Sequence, residues 1–131
     1  MLHSPVPLAL WICDRVIIDA ATNDLSLIGA FTGLKFEQFP TFPRPLSVFL
    51  SLTGAEGIGK ITLSVLGIDA DGAFEQVYNR SETIVFRQRA LVENVHFRIR
   101  DLRFPRKGTY SFAVFVDRVL LAERKLRLIE G

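Results

Sequence analysis

The segment from Gly108 to Asp117 constrains the fold most, because its side chains alternate strictly and turn-forming residues bound it. One face carries Tyr110, Phe112, Val114 and Val116, and the other carries Ser111, Ala113 and Phe115. A period of two is what a strand with one face on a core requires. The segment therefore predicts a late β-strand whose tyrosine-led face points into a β-domain.

Alternating or β-branched segments recur along the chain between Gly, Pro and Asp turns, and none shows the period of a helix. We expect strands near 8–18, 25–34, 46–53, 61–66, 73–79, 82–89, 95–100, 110–116 and 119–129. Trp11 is expected to anchor the core from the first strand. The pattern predicts an all-β fold, an antiparallel two-sheet β-sandwich with an immunoglobulin-like or jelly-roll path and little or no helix.

Length and cysteine content narrow the class of protein. At 131 residues the chain is expected to be a single β-sandwich domain, 1–131. Cys13 is the only cysteine, which excludes an internal disulfide. The N-terminus has neither the basic residues of a signal peptide nor an uninterrupted apolar run. We expect a cytoplasmic protein with no membrane segment.

The first hairpin resembles a known family. The residues that carry the likeness are Cys13 to Asp19, Thr22 and Leu25 to Phe31, followed by Phe39-Pro40, Pro45, Leu52-Thr53, Phe104-Pro105, Gly108 and Tyr110. Together they resemble the bacterial family of domains of unknown function numbered 6941. Where that family usually has a glycine after the threonine, this chain has Asn23, which also tolerates positive φ. The resemblance implies a small, mostly β protein and carries over no activity.

Basic residues are the best functional lead. Residues 1–79 hold four Lys/Arg against eight Asp/Glu, whereas residues 80–131 hold twelve against six. If two predicted strands are neighbours, four guanidinium groups would line one outer surface, those of Arg87, Arg89, Arg98 and Arg100. Such a surface could bind carboxylates or phosphates of an acidic partner. A solvated basic face and a nucleic-acid or polyanion surface are the alternatives.

Several large apolar side chains fall on the predicted outer faces of their strands. They are Phe49, Leu66, Ile68, Phe115 and Leu121. Large exposed apolar patches are rare on monomers. Phe49 and Phe115 are therefore candidate interface residues for self-association, unless the strands change phase at bulges.

Catalytic chemistry has few candidate residues. A small hydrolase could use Cys13 with His96, and a metal-dependent enzyme could use Asp14 with Asp19. Neither pair is marked out by a motif, and the sequence calls for no cofactor and no metal. We therefore favour a non-enzymatic binding or assembly module that self-associates or binds a protein partner. An enzyme and a weak nucleic-acid binder remain the competing hypotheses, and a small-molecule ligand stays open.

Overall fold

The computed structural model of the protein describes residues 5–131, which form nine strands. These are β1 (Val6–Ile18), β2 (Leu25–Ala30), β3 (Gly33–Phe36), β4 (Leu46–Thr53), β5 (Gly57–Ile68), β6 (Phe74–Phe86), β7 (Glu93–Ile99), β8 (Gly108–Val116) and β9 (Val119–Glu130). Sheet A has the order β2-β1-β4-β7, and sheet B the order β3-β9-β8-β5-β6. The predicted two-sheet β-sandwich is confirmed, and the paired strands run antiparallel apart from β3 beside β9. Within the described residues, no helix could cross a membrane.

The core lies where the inner faces of the two sheets meet. The tyrosine-led face of β8 is buried as predicted. Sheet A meets it with alternate residues of β4, which are fully buried: Leu46, Val48, Leu50 and Leu52. Burying a side chain of this kind contributes roughly 1.5–3 kcal/mol. The period of two in the sequence therefore decides which face of each strand forms the core.

Tyr110 fixes the corner that precedes β8. Its hydroxyl donates a hydrogen bond to the Arg106 carbonyl at 2.6 Å and accepts one from the Arg106 amide at 3.2 Å. Its ring packs edge-on against Phe104, with centroids 5.0 Å apart. A tyrosine near the start of a late strand that bonds to upstream backbone is the tyrosine corner of immunoglobulin-like sandwiches. Of the two predicted paths, the structure has the immunoglobulin-like one.

Three local predictions were wrong. Residues 25–34 form two strands, because the chain leaves sheet A after Ala30 and joins sheet B at Gly33. Residues 74–86 form one long strand, β6, where two short strands were expected. Trp11 does not anchor the core, since Leu10 and Ile12 take the inner face of β1 and leave the indole 37% exposed on the outer face.

At each open side of the sandwich, an arginine of sheet B donates a hydrogen bond to a backbone carbonyl of sheet A. Arg124 of β9 donates to the Leu10 carbonyl of β1 at 2.6 Å, and its guanidinium lies 4.0 Å from the centre of the Trp11 ring. Arg80 of β6 donates to the carbonyl of Arg98 on β7 at 2.9 Å. We call Arg80 and Arg124 the arginine latches. β7 is an edge strand, and β1 has β2 beside it only from Cys13 onward, so each latch occupies a carbonyl where sheet A has no further strand.

Candidate functional site

The outer face of sheet A brings several of the predicted residues together. The pairing of β1, β4 and β7 sets Trp11, Phe49 and His96 side by side in one row. The next row holds Cys13, Ser47 and Arg98. Two strands that lie far apart in sequence, β1 and β7, therefore contribute to one surface through the strand between them.

Arg98 crosses this surface and reaches the residue where β1 leaves the sandwich. One of its terminal nitrogens donates to the Asp14 carbonyl at 2.7 Å and to the Ser47 hydroxyl at 3.3 Å. Arg44, in the loop before β4, donates to the Asp14 carboxylate at 2.8 Å. We call Asp14, Arg44, Ser47 and Arg98 the Asp14 clamp. It fixes the direction in which β1 continues beyond the end of its pairing with β4.

Ser47 and His96 form a hydrogen bond of 2.9 Å, the geometry of a serine beside a base. The Ser47 oxygen accepts a bond from Arg98 and can donate its own proton to Nε2 of a neutral His96. Burial, followed by the charges of Arg98 and Arg80, lowers the pKa of His96 and favours that neutral form. Ser47 is fully buried, so no substrate can reach its hydroxyl. The bond therefore belongs to a structural network.

Cys13 does not form the nucleophile pair considered from the sequence. It lies in the row next to that of His96, with β4 between the two strands. Its side chain is fully buried and its sulfur contacts the Arg15 carbonyl at 3.5 Å. Burial, reinforced by the charge of Asp14, raises the pKa of the thiol and disfavours the reactive thiolate.

The early aspartates are separated as well. Asp14 directly follows Cys13, the last residue of β1 that pairs with β4, whereas Asp19 lies five residues on, about 16 Å along an extended strand. The Asp19 carboxylate accepts hydrogen bonds from the amides of Ala21 and Thr22, which lower its pKa and hold the turn. Between residues 5 and 131, no three His, Cys, Asp or Glu side chains cluster as metal ligands would.

The four arginines do not share one surface, because β6 and β7 belong to different sheets. Arg87 and Arg89 follow the end of β6 and are paired with Glu93 and Glu56. Arg98 and Arg100 lie at the opposite end of β7, where Arg98 is held in the Asp14 clamp. The prediction that four guanidinium groups line one face required the two strands to be neighbours in one sheet. It was wrong, because they are not.

The two candidate interface phenylalanines do lie on outer faces. Phe49 lies between Trp11 and His96 in its row and is only 8% exposed. Phe115 is half-buried and is paired with Leu120. Whether either one contacts a second molecule stays a prediction.

A further apolar surface lies elsewhere, on the hairpin formed by the end of β1 and by β2. Strand β4 accompanies β1 only as far as Cys13, so residues 14–18 pair with β2 alone. Strand β2 packs substantially only on β1. We call residues 14–30 the arm. Three isoleucines of the arm are exposed: Ile17 by 42% and Ile28 by 38% on one face of the ribbon, and Ile18 by 61% on the other.

Sequence reasoning identified this hairpin but missed its exposure. The alternation of β1 and β2 is regular, and nothing in it tells where β4 stops accompanying β1. The available signal was the apolar character of both parities in residues 16–18 and 25–28, which a hairpin with one solvated face would not show.

A family model matches residues 8–129, nearly the whole chain. The chain belongs to DUF6941, a family of unknown function. The resemblance expected from the first hairpin is therefore confirmed. Membership of DUF6941 places the chain among small, mostly β proteins and assigns it no activity.

Solved structures similar to this DUF6941 chain share little sequence with it. An immunoglobulin-like protein from Pseudomonas aeruginosa is 17% identical, with a TM-score of 0.49 over 96% of this chain and 97% of that one. A β-glucosidase from Listeria innocua is 9% identical, with a TM-score of 0.51 over 92% of this chain and 16% of that one. An alkylpurine DNA glycosylase from Pseudomonas fluorescens is 13% identical, with a TM-score of 0.47 over 74% and 27%. Such likeness concerns the fold alone, and no curated protein matches the chain.

Proposed function

We propose that this DUF6941 protein is a cytoplasmic, non-enzymatic assembly module that forms homo-oligomers through its arm. The observation that carries the proposal is the exposure of Ile17, Ile18 and Ile28 on a ribbon that extends beyond the sandwich. Apolar surface of this kind on a soluble protein marks an interaction site. A two-stranded ribbon is also only marginally stable alone in water, so a partner would stabilise it.

The Asp14 clamp supports this role. Its hydrogen bonds at the base of the arm reach the Asp14 carboxylate from Arg44 and the Asp14 carbonyl from Arg98. Holding the ribbon in one direction before binding reduces the conformational entropy that binding would otherwise cost. The buried Cys13 and Ser47 of the same surface are explained as packing and support.

Native mass spectrometry tests the proposal. At about 20 μM protein we expect multiples of the 14.8 kDa chain mass. The double variant Ile17→Ser/Ile28→Ser should shift the spectrum toward the single chain. A matched control is Ile58→Ser/Val85→Ser, which removes a paired, even more exposed aliphatic couple from the outer face of sheet B. A native protein that gives only the single-chain mass, or a control as damaging as the arm variant, contradicts the proposal.

A second candidate function is binding of an acidic partner through Arg100 and Arg103. Both are exposed, and within residues 5–131 neither has a carboxylate within 4.0 Å. Arg100→Ser/Arg103→Ser should weaken retention on a polyglutamate column at low salt, whereas Arg87→Ser/Arg89→Ser should not. Equal retention of all three proteins would end this candidate.

A further inference from the structure

The edges of the two sheets differ in how they are protected against pairing with another strand. Strand β6 carries the charges of Glu75, Arg80 and Glu82, and β3 is four residues long and contains Lys35. The edge of β7 has its Arg98 carbonyl occupied by a latch. Strand β2, Leu-Ser-Leu-Ile-Gly-Ala, carries no charge and no proline. Charges, prolines and short length are the usual protection of an edge, so β2 is the least protected edge of the described chain.

The backbone of β2 offers its hydrogen-bonding groups at defined positions. The Asp19 amide donates to the Asp24 carbonyl at 2.9 Å and the Asp19 carbonyl accepts from the Asn23 amide at 2.8 Å, so both backbone groups of Asp19 point toward the β2 side of the hairpin. Pairing continues without interruption from Ile18 with Leu25 to Arg15 with Ile28. Because hydrogen-bonded and non-hydrogen-bonded pairs alternate in an antiparallel ladder, the N–H and C=O groups of Leu25 and Leu27 point away from β1.

We infer that the partner of the β2 edge is the β2 strand of a second copy, paired antiparallel about a two-fold axis beside Ser26. This inference rests on the proposed function and names the surface that assembly would use. Leu25 and Leu27 are the two residues whose backbone N–H and C=O groups point away from β1, and Ser26 is midway between them. Asn23 (φ 61°) and Gly29 (φ 67°) bound the extended segment at both ends, and Ser26 is its centre. Both observations give the same axis.

Charges along the arm favour this orientation. The arm tip carries Asp19 and Asp24, whereas Arg15 lies toward the base, and no carboxylate lies within 4.0 Å of Arg15 in residues 5–131. Pairing about Ser26 sets Asp24 of one copy opposite Ile28 of the other, with Arg15 on the next strand of the same face. Asp24 of one copy and Arg15 of the other are then two strand spacings apart, about 10 Å between Cα atoms, and an arginine side chain can span that distance. Parallel arms would bring the acidic tips together instead.

The apolar side chains also become continuous across the axis. Val16, Ile18, Leu25 and Leu27 share one face of the arm. Joining two arms through β2 places eight aliphatic side chains on one face of a four-stranded ribbon. Sheet A then runs without interruption through both copies, in the order β7-β4-β1-β2-β2-β1-β4-β7. Such an isologous contact closes on itself and gives a dimer.

Cysteine cross-linking tests this geometry. In a non-hydrogen-bonded pair on the axis, the two copies of residue 26 have Cα atoms about 4.5 Å apart, which suits a disulfide. We expect Ser26→Cys to oxidise to a covalent species of twice the 14.8 kDa chain mass, with Cys13 unreacted because it is buried. Thr22→Cys is the matched control, since Thr22 lies exposed at the arm tip, where pairing about Ser26 sets it about 26 Å from its own copy.

A charge exchange gives an independent test. Asp24→Arg and Arg15→Glu should each weaken the dimer by about tenfold, as measured by analytical ultracentrifugation, and together they should restore most of the affinity. A dimer that persists while Ser26→Cys stays uncross-linked and the exchange has no effect overturns β2 pairing and leaves assembly through another surface standing. A native protein that is monomeric at about 100 μM overturns both.

Discussion

Gly67→Ala tests whether the tyrosine corner is rigid. A Cβ atom on Gly67, in β5, would lie 2.5 Å from Cε2 and 2.9 Å from Cδ2 of Tyr110. The ring has little room to retreat, because its hydroxyl is bonded to the Arg106 backbone and Phe104 packs against it. The added methyl group must therefore be accommodated by displacing a buried, tethered side chain.

Two opposing effects set the sign of the change. Gly67 has no left-handed φ, so an alanine there would ordinarily stabilise by about 0.4–1 kcal/mol through the unfolded chain. Overpacking a core costs about 1–3 kcal/mol. The cost of overpacking against Tyr110 should exceed the gain through the unfolded chain, and we expect a net loss of about 1–2 kcal/mol in the free energy of unfolding. For a chain of this size that lowers Tm by roughly 3–8 °C.

A double-mutant cycle isolates the tether. Tyr110→Phe keeps the ring but frees it from Arg106, at a cost of about 1–3 kcal/mol for the unpaired backbone groups. The freed ring can then shift away from the methyl group. The double variant should be destabilised by less than the sum of the two single variants, by at least about 0.5 kcal/mol.

Urea unfolding followed by circular dichroism and by Trp11 fluorescence gives the three free energies. A Gly67→Ala protein more stable than the native one would show that the ring yields at no cost. Strict additivity in the cycle would show that the hydroxyl tether is not what makes the ring resist. Either result refutes the account of the tyrosine corner given above.

Three further predictions concern the outer face of sheet A and its surroundings. Burial and nearby arginines lower the pKa of His96 in the folded protein. The free energy of unfolding should therefore be retained above the unfolded-state pKa of about 6.5 and fall as the pH drops below it. In His96→Gln, the urea midpoint of unfolding should no longer depend on pH in this range. Arg124→Ala should destabilise by about 1–2 kcal/mol and alter Trp11 fluorescence, whereas Arg124→Lys should retain part of both; an unchanged spectrum would contradict the stacking. Asp14→Asn should raise amide hydrogen exchange in residues 15–28 with little global effect, and uniform acceleration across the chain would refute a local clamp.

Most of the fold follows from a period of two. The inner faces of β4 and β8 could be identified residue by residue, because one parity of each strand is apolar at every position and the other is mixed. The prediction that Trp11 anchors the core was wrong because the segment around it is apolar in both parities. Only the burial of its neighbours shows which parity faces inward. Size and hydrophobicity alone do not orient a side chain in such a strand.

The site was less accessible to prediction, since it depends on which strands are neighbours. Arg98 could be assigned to an outer face from alternation, but its bond to the Asp14 carbonyl requires β1, β4 and β7 to be adjacent. Arg87 and Arg98 were placed together because sequence proximity suggested a hairpin between their strands. The chain instead crosses from sheet B to sheet A between them, and no local signal in residues 87–92 specifies such a crossing.

The Arg124 latch joins the first strand of the fold to the last one, and its two ends lie 114 positions apart in the sequence. Terminal strands commonly fray, because few contacts hold them. Here β1 cannot separate without exposing the guanidinium of β9 and uncovering Trp11, so the opening of one terminal strand should loosen the other. Amide groups near residues 9–12 and 120–126 should then exchange with a common free energy, as one cooperative unit assembled from the two extremes of the chain.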